Sequence, residues 1–247
     1  MDERMRRVYQ NWRSPGVQKS MSPVITIMIP YYQMLMHIPQ SIIDEQTSRV
    51  KAYFEHWLAF MSDCVCFWEI PGDLDIHTQG HCERVLLHAL RIGEARHASD
   101  RQMTALAEAS VFHDSRRKDN YLDTGHGARA ANYYKDYCGK GGLEFLPEAY
   151  TAIWYHDRDD ELGSRYIATH AGTEADSWLE VYRCFKDADA LDRYRLGTWC
   201  LDKRFLRTDV AKTMTDFALM LVQRTIPEDE LRRTYSQTDP FRPEDAE

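Results

Sequence analysis

The run Val111-Phe112-His113-Asp114 closes an apolar period in which Met103, Leu106, Ala107, Ser110 and Val111 recur at helical spacing behind the helix-start pair Ser99-Asp100. It sets an imidazole and a carboxylate side by side at a helix end, where both can offer a lone pair to one cation. Upstream, His81 stands in His81-Cys82-Glu83-Arg84-Val85; downstream, Asp189 stands in Lys186-Asp187-Ala188-Asp189-Ala190-Leu191-Asp192. Each falls on a predicted helix. One His, an adjacent His-Asp and a late Asp would supply two imidazoles and two carboxylates, leaving coordination positions open for water and substrate.

The flanking sequence predicts helices throughout. Val50, Tyr53, Phe54, Trp57, Leu58 and Met61 fall at three and four spacings within a single helix over 41–64, and Pro71-Gly72 breaks the chain after it. Val85, Leu86, Ala89, Leu90 and Ile92 mark the inner face of the His81 helix, on which His88 reads as a satisfied core histidine. Gly139 to Gly142 stop one helix and Pro147 starts the next. Thr124 is expected to cap a helix entered through Gly125-His126-Gly127. A helix from about Thr173 leads to Asp189, and another is predicted over 208–224. The fold class is therefore all-α, a single-domain helical bundle over 41–235. Residues 1–40, interrupted by four prolines, are expected to be an irregular extension packed on the core, with a homodimer surface as the other reading. Residues 236–247 read as a frayed tail.

Composition narrows the function classes. With 31 basic and 39 acidic residues among 247, the formal charge of −8 carries no general footprint for nucleic acid. Six scattered cysteines lack the density of a disulfide scaffold, which points to reduced thiols and a cytoplasmic setting. No run of about 20 apolar residues is present to span a bilayer. No glycine-rich nucleotide fingerprint and no Gly-x-Ser-x-Gly elbow occurs.

The ordered set His81, His113-Asp114 and Asp189 resembles the HD-domain superfamily of metal-dependent phosphohydrolases. The resemblance covers 77–195 and implies a helical bundle of HD-domain type. It assigns His81, His113, Asp114 and Asp189 as ligands of a divalent transition metal (Mn, Fe, Co, Ni or Zn), one or two ions. It implies that His126 and His156 either bind a second metal or protonate a leaving oxygen. His77 is read as a helper of the ligands. Arg116, Arg117 and Lys118, directly after the ligand pair, are expected to hold phosphate oxygens. Arg193 and Arg195 are expected to contact substrate or to pair with the neighbouring acids, and Asp187 and Asp192 to support the ligands or orient substrate. The implied activity is hydrolysis of a phosphomonoester or phosphodiester in a nucleotide or similar small phosphate, with Asp114 central. Two rival readings are a di-iron oxygenase using six ligands, and a domain that binds a nucleotide or partner without turnover.

Overall fold

The computed structural model describes residues 38–70, 77, 79–120 and 123–238. The expected extension and dimer surface in 1–40 thus lie almost wholly outside the described residues, as do residues 239–247 of the expected tail. The described chain is all-helical, with eleven α-helices and no strand. They are α1 (Gln40–Asp44), α2 (Ser48–Cys64), α3 (Gln79–Ala95), α4 (Asp100–Phe112), α5 (His126–Gly139), α6 (Pro147–Tyr155), α7 (Asp160–His170), α8 (Ala175–Leu191), α9 (Asp209–Thr213), α10 (Thr215–Thr225) and α11 (Glu228–Thr238). Among these elements no helix is long and apolar enough to cross a membrane.

Three helices make the centre. α3 packs along α4, α8 lies against α3, α4 and α6, and α2 covers α3 and α4. Every residue of α3 from Gly80 to Leu90 is buried, as a helix surrounded on all sides must be. α4 begins with a full capping box: Ser99 and Gln102 exchange side-chain and backbone hydrogen bonds, satisfying donors that the helix itself leaves open. A Cβ at Gly93 would stand 2.7 Å from the Leu106 side chain, so glycine lets α3 and α4 cross closely. The apolar stripe of α2 is buried at all six predicted positions.

The helix expected over 41–64 is two. Thr47 accepts the Val50 N–H and starts α2 anew, leaving α1 as one short turn. The helix expected over 208–224 also divides, at Met214, between α9 and α10. The expected tail is helical through Thr238. Tyr235 donates to the Tyr194 carbonyl at 2.7 Å and its ring packs against Trp199, so α11 is tied down despite its charged composition.

His88 departs from its expected environment. It is fully buried, lies edge-on to Phe217 at 5.9 Å, and neither ring nitrogen has a hydrogen-bond partner. Burial pushes its pKa down to about 4, so the folded protein keeps it neutral while the unfolded chain protonates near pH 6.5. Between those values the unfolded state binds more protons, and stability falls as pH falls, by about 3 kcal/mol in all. Urea unfolding of the wild-type protein and of His88→Leu at pH 7 and pH 5 isolates this loss: relative to the variant the wild-type protein should lose stability on acidification, and a difference between the two that does not change with pH would refute the assignment.

Candidate metal centre

The site forms where the His81 turn of α3, the end of α4, the start of α5, the end of α6 and the end of α8 meet. His81 Nε2 lies 3.1 Å from His113 Nε2, 3.5 Å from Asp114 Oδ2 and 3.3 Å from Asp189 Oδ1. On the other side of the same carboxylate, Asp114 Oδ1 lies 3.0 Å from His126 Nε2 and 3.4 Å from His156 Nε2, and those two nitrogens are 2.8 Å apart. The six predicted metal-site residues therefore form two donor groups that share Asp114. Cations bound about 2.1 Å from each donor put neighbouring ligand atoms about 3.0–3.4 Å apart, and the donor separations here, 2.8–3.9 Å, bracket that range.

Hydrogen bonds behind the rings decide which nitrogen faces inward. His113 Nδ1 donates to the Ser110 carbonyl at 2.9 Å, His156 Nδ1 to Ile153 at 2.8 Å and His126 Nδ1 to Asp123 at 2.7 Å. His81 Nδ1 donates to Asp192 Oδ2 at 2.7 Å. These partners only accept, so each Nδ1 carries a proton and each ring presents Nε2 to the cluster. Ring nitrogens facing each other at 2.8 and 3.1 Å beside carboxylates need a proton or a cation between them. Asp114 Oδ1 is moreover buried with no hydrogen-bond partner. These buried His and Asp groups could hold a metal ion.

The rings are not electrostatically alike: burial opposes a charge on His156, but its hydrogen bond to Asp114 outweighs burial and raises its pKa. Burial pushes His113 down to about 3, which keeps it neutral. Burial opposes ionised Asp114 and Asp189, but the imidazoles around them outweigh it and hold both carboxyls well below the usual range. His126 and His156 each hold Nδ1 on a carbonyl and turn Nε2 toward Asp114, an arrangement that suits either of their two expected roles.

Other predicted site residues divide. Asp192 is fully buried and does not reach the cavity. It takes Arg84 in a two-pronged pair, at 2.6 and 3.0 Å, and holds His81. Of its two expected roles, supporting the ligands and orienting substrate, it is placed for the first. Arg84 is a structural ion-pair partner. His77 sits with Nδ1 3.2 Å from Asp114 Oδ2 and 3.0 Å from Arg195, and with His81 and Asp114 it forms a further set of groups that could hold a metal ion. Asp187 lies away from the ligands, accepting from the Arg207 and Thr208 backbone at 2.8 and 2.7 Å.

A cavity of about 960 Å³ opens beside the donors, lined by Asp114, His126, His156 and Asp189 and by six cationic side chains. Arg117, Arg193 and Arg195 were expected there. Arg116 and Lys118 do not line it: Arg116 turns outward onto the Tyr133 ring at 3.4 Å and bonds the Cys66 carbonyl, and Lys118 is exposed. Residues 113–116 leave the helix in tight turns, which aims consecutive side chains in different directions. Arg158, Lys186 and Arg207 complete the wall and carried no distinguishing local signal. Lys186 donates to the Arg158 carbonyl and to Asp160, each at 2.6 Å, and burial lowers its pKa.

Glycines set the second donor group. Gly125, not Thr124, occupies the cap of α5, with φ of 97°, and its N–H donates to Asp157 at 2.6 Å. A Cβ at Gly127 would stand 2.7 Å from the Ile153 carbonyl and 3.0 Å from His156 Nδ1, the pair that orients this ligand. Gly127→Ala is expected to weaken metal affinity at Asp114, His126 and His156 by about 10–100-fold while the His81 group binds as before. Manganese titration followed by paramagnetic resonance checks this; two unchanged sites would contradict it.

Comparison with protein-family models, curated proteins and solved structures finds no match to this chain. The functional reading therefore rests on the geometry.

Proposed function

We propose that this protein is a metal-dependent phosphohydrolase of HD-domain type, cleaving a phosphomonoester or phosphodiester bond in a small phosphorylated molecule. The reading is carried by one juxtaposition: two donor groups sharing Asp114 open onto a cavity whose wall carries six cationic side chains, against five carboxylates that include Asp114 and Asp189. His81, His113, Asp114 and Asp189 would hold one ion, and Asp114, His126 and His156 a second. Transition metals such as Mn, Fe, Co, Ni or Zn suit imidazole with carboxylate, and when bound supply a water of lowered pKa and a positive centre for phosphoryl oxygens. Arg117 and Arg195, both buried beside the donors, are placed to hold those oxygens. Asp192 and the Ser110, Asp123 and Ile153 carbonyls keep the four rings in the ligating tautomer.

A second reading draws on the same six donors. Four imidazoles and two carboxylates are also the ligand set expected of a di-iron oxygenase. The cationic wall favours phosphate. Elemental analysis of the purified protein, coupled to a phosphate-release screen over nucleotides, nucleoside triphosphates, cyclic dinucleotides and short single strands, separates the readings. Bound metal with phosphate release supports hydrolysis. Iron with oxygen-dependent turnover and no phosphate release would replace it with the oxygenase, and no turnover of any kind would leave a binding domain.

A further inference from the structure

Cysteine is among the residues most often buried, and Cys82, Cys138 and Cys184 follow that rule, but Cys64 and Cys66 are both exposed. They flank Val65, the residue after α2, whose backbone is extended (φ −93°, ψ 115°) and whose side chain is buried. Neighbours in extended chain point to opposite sides, so a Val65 turned into the core leaves both thiols on the solvent side. Cα atoms two residues apart are at most about 7 Å from each other, and a disulfide spans Cα separations of about 4.4–6.8 Å. A small change in the Val65 torsions is therefore enough to bring the two sulfurs together.

Cys66 is also tied to the turn behind Asp114. Its N–H donates to the Tyr133 hydroxyl at 3.0 Å and its carbonyl accepts from Arg116. Two residues on, the Trp68 N–H donates at 3.0 Å to the Ser115 carbonyl, which also accepts from Arg116 at 2.9 Å. Residues 66–68 thus clamp Ser115 and Arg116, the two residues directly after Asp114. Closing a ring through Cys64, Val65 and Cys66 requires the chain between the sulfurs to shift. Val65 is held by its burial and by its N–H on the Met61 carbonyl at 3.2 Å, whereas the bonds of Cys66 lie at the surface. Surface bonds open at lower cost, so ring closure draws Cys66 away from Tyr133 and Arg116.

We propose that Cys64 and Cys66 are a redox-modification site: they form a reversible disulfide, with a low-molecular-weight disulfide such as glutathione disulfide as oxidant, and its formation loosens the clamp behind Asp114. One cysteine gives up its proton and attacks the oxidant's S–S bond, releasing one glutathione, which takes up a proton. The other cysteine then gives up its proton and attacks the mixed disulfide, releasing the second glutathione in the same way. Two protein thiols are oxidised by two electrons, and one glutathione disulfide is reduced to two thiols. The inference is independent of the phosphohydrolase reading. The full chain is equilibrated in glutathione buffers of rising disulfide fraction, its remaining thiols are alkylated, and peptide mass spectrometry is run beside amide hydrogen exchange. At high disulfide fraction Cys64 and Cys66 should be bridged to each other with no glutathione retained, and reduced glutathione should restore both thiols. Exchange at the Trp68 amide should be about tenfold faster in the bridged form, the effect of one lost hydrogen bond. Cys64→Ser and Cys66→Ser should each stop at the mixed disulfide on the cysteine that remains. Glutathione retained on both wild-type cysteines, no reaction at either, a bridge to some other cysteine, or a bridge that leaves Trp68 exchange unchanged would each overturn the proposal.

Discussion

Asp114→Asn is expected to lower turnover by more than about 10³-fold and to remove bound metal from both donor groups at once. Asp114 alone contributes to both, with Oδ2 among His81, His113 and Asp189 and Oδ1 between His126 and His156. Asparagine keeps the shape but replaces one oxygen by an amide that cannot ligate and carries no charge, so at least one group loses its carboxylate and the other its anion. Circular dichroism should show the helices intact, because the partners of the Asp114 side chain are the clustered imidazoles and Arg117 and not the apolar packing of the helices. Metal content measured beside activity gives the test: a variant that still binds two ions and turns over would show that the shared carboxylate is not the centre of the site.

A second large effect lies in the core and not in the site. Glu108 on α4 is buried, and its one side-chain hydrogen bond, at 2.7 Å, comes from the Tyr134 hydroxyl. The nearby Arg101 is already taken by Glu148 at 2.5 and 3.0 Å. Burial pushes Glu108 up to about 8, so the folded protein keeps it protonated where the unfolded chain has lost that proton. Between pH 4.5 and 8 the folded state binds more protons, and stability falls as pH rises, by on the order of 4 kcal/mol across the window. Glu108→Gln keeps the acceptor for Tyr134 and removes the titration. Urea midpoints at pH 6 and pH 9 should separate for the wild-type protein and converge for the variant; parallel behaviour would contradict the account. With His88 eroding stability on the acid side, the optimum falls between the two.

The helices and the donors on them were legible because one periodicity fixes both. His81, His113 and Asp189 sit at ends or on inner faces of apolar stripes, so the pattern that buries a helix also aims its ligand inward. What followed a helix end was not legible. Arg116, Arg117 and Lys118 are neighbours in sequence, yet only Arg117 turns into the cavity, because no repeat governs direction in a turn. Asp192 lies three residues beyond Asp189 in a 3₁₀ turn, which carries it beneath His81 and out of reach of substrate. Lys186 and Arg207 are brought together by Asp160, a pairing across distant elements that no local window contains. The breaks at Thr47 and Met214 escaped for a related reason, since apolar spacing continues across both while a cap or a single residue outside the helical conformation ends the hydrogen-bond ladder.

Anomalous diffraction from crystals grown with manganese tests the central claim most directly. The account predicts two peaks per chain: one among His81 Nε2, His113 Nε2, Asp189 and Asp114 Oδ2, the other among His126 Nε2, His156 Nε2 and Asp114 Oδ1. A map with no peak at either place, or with rings turned so that Nδ1 faces the cluster, would contradict it.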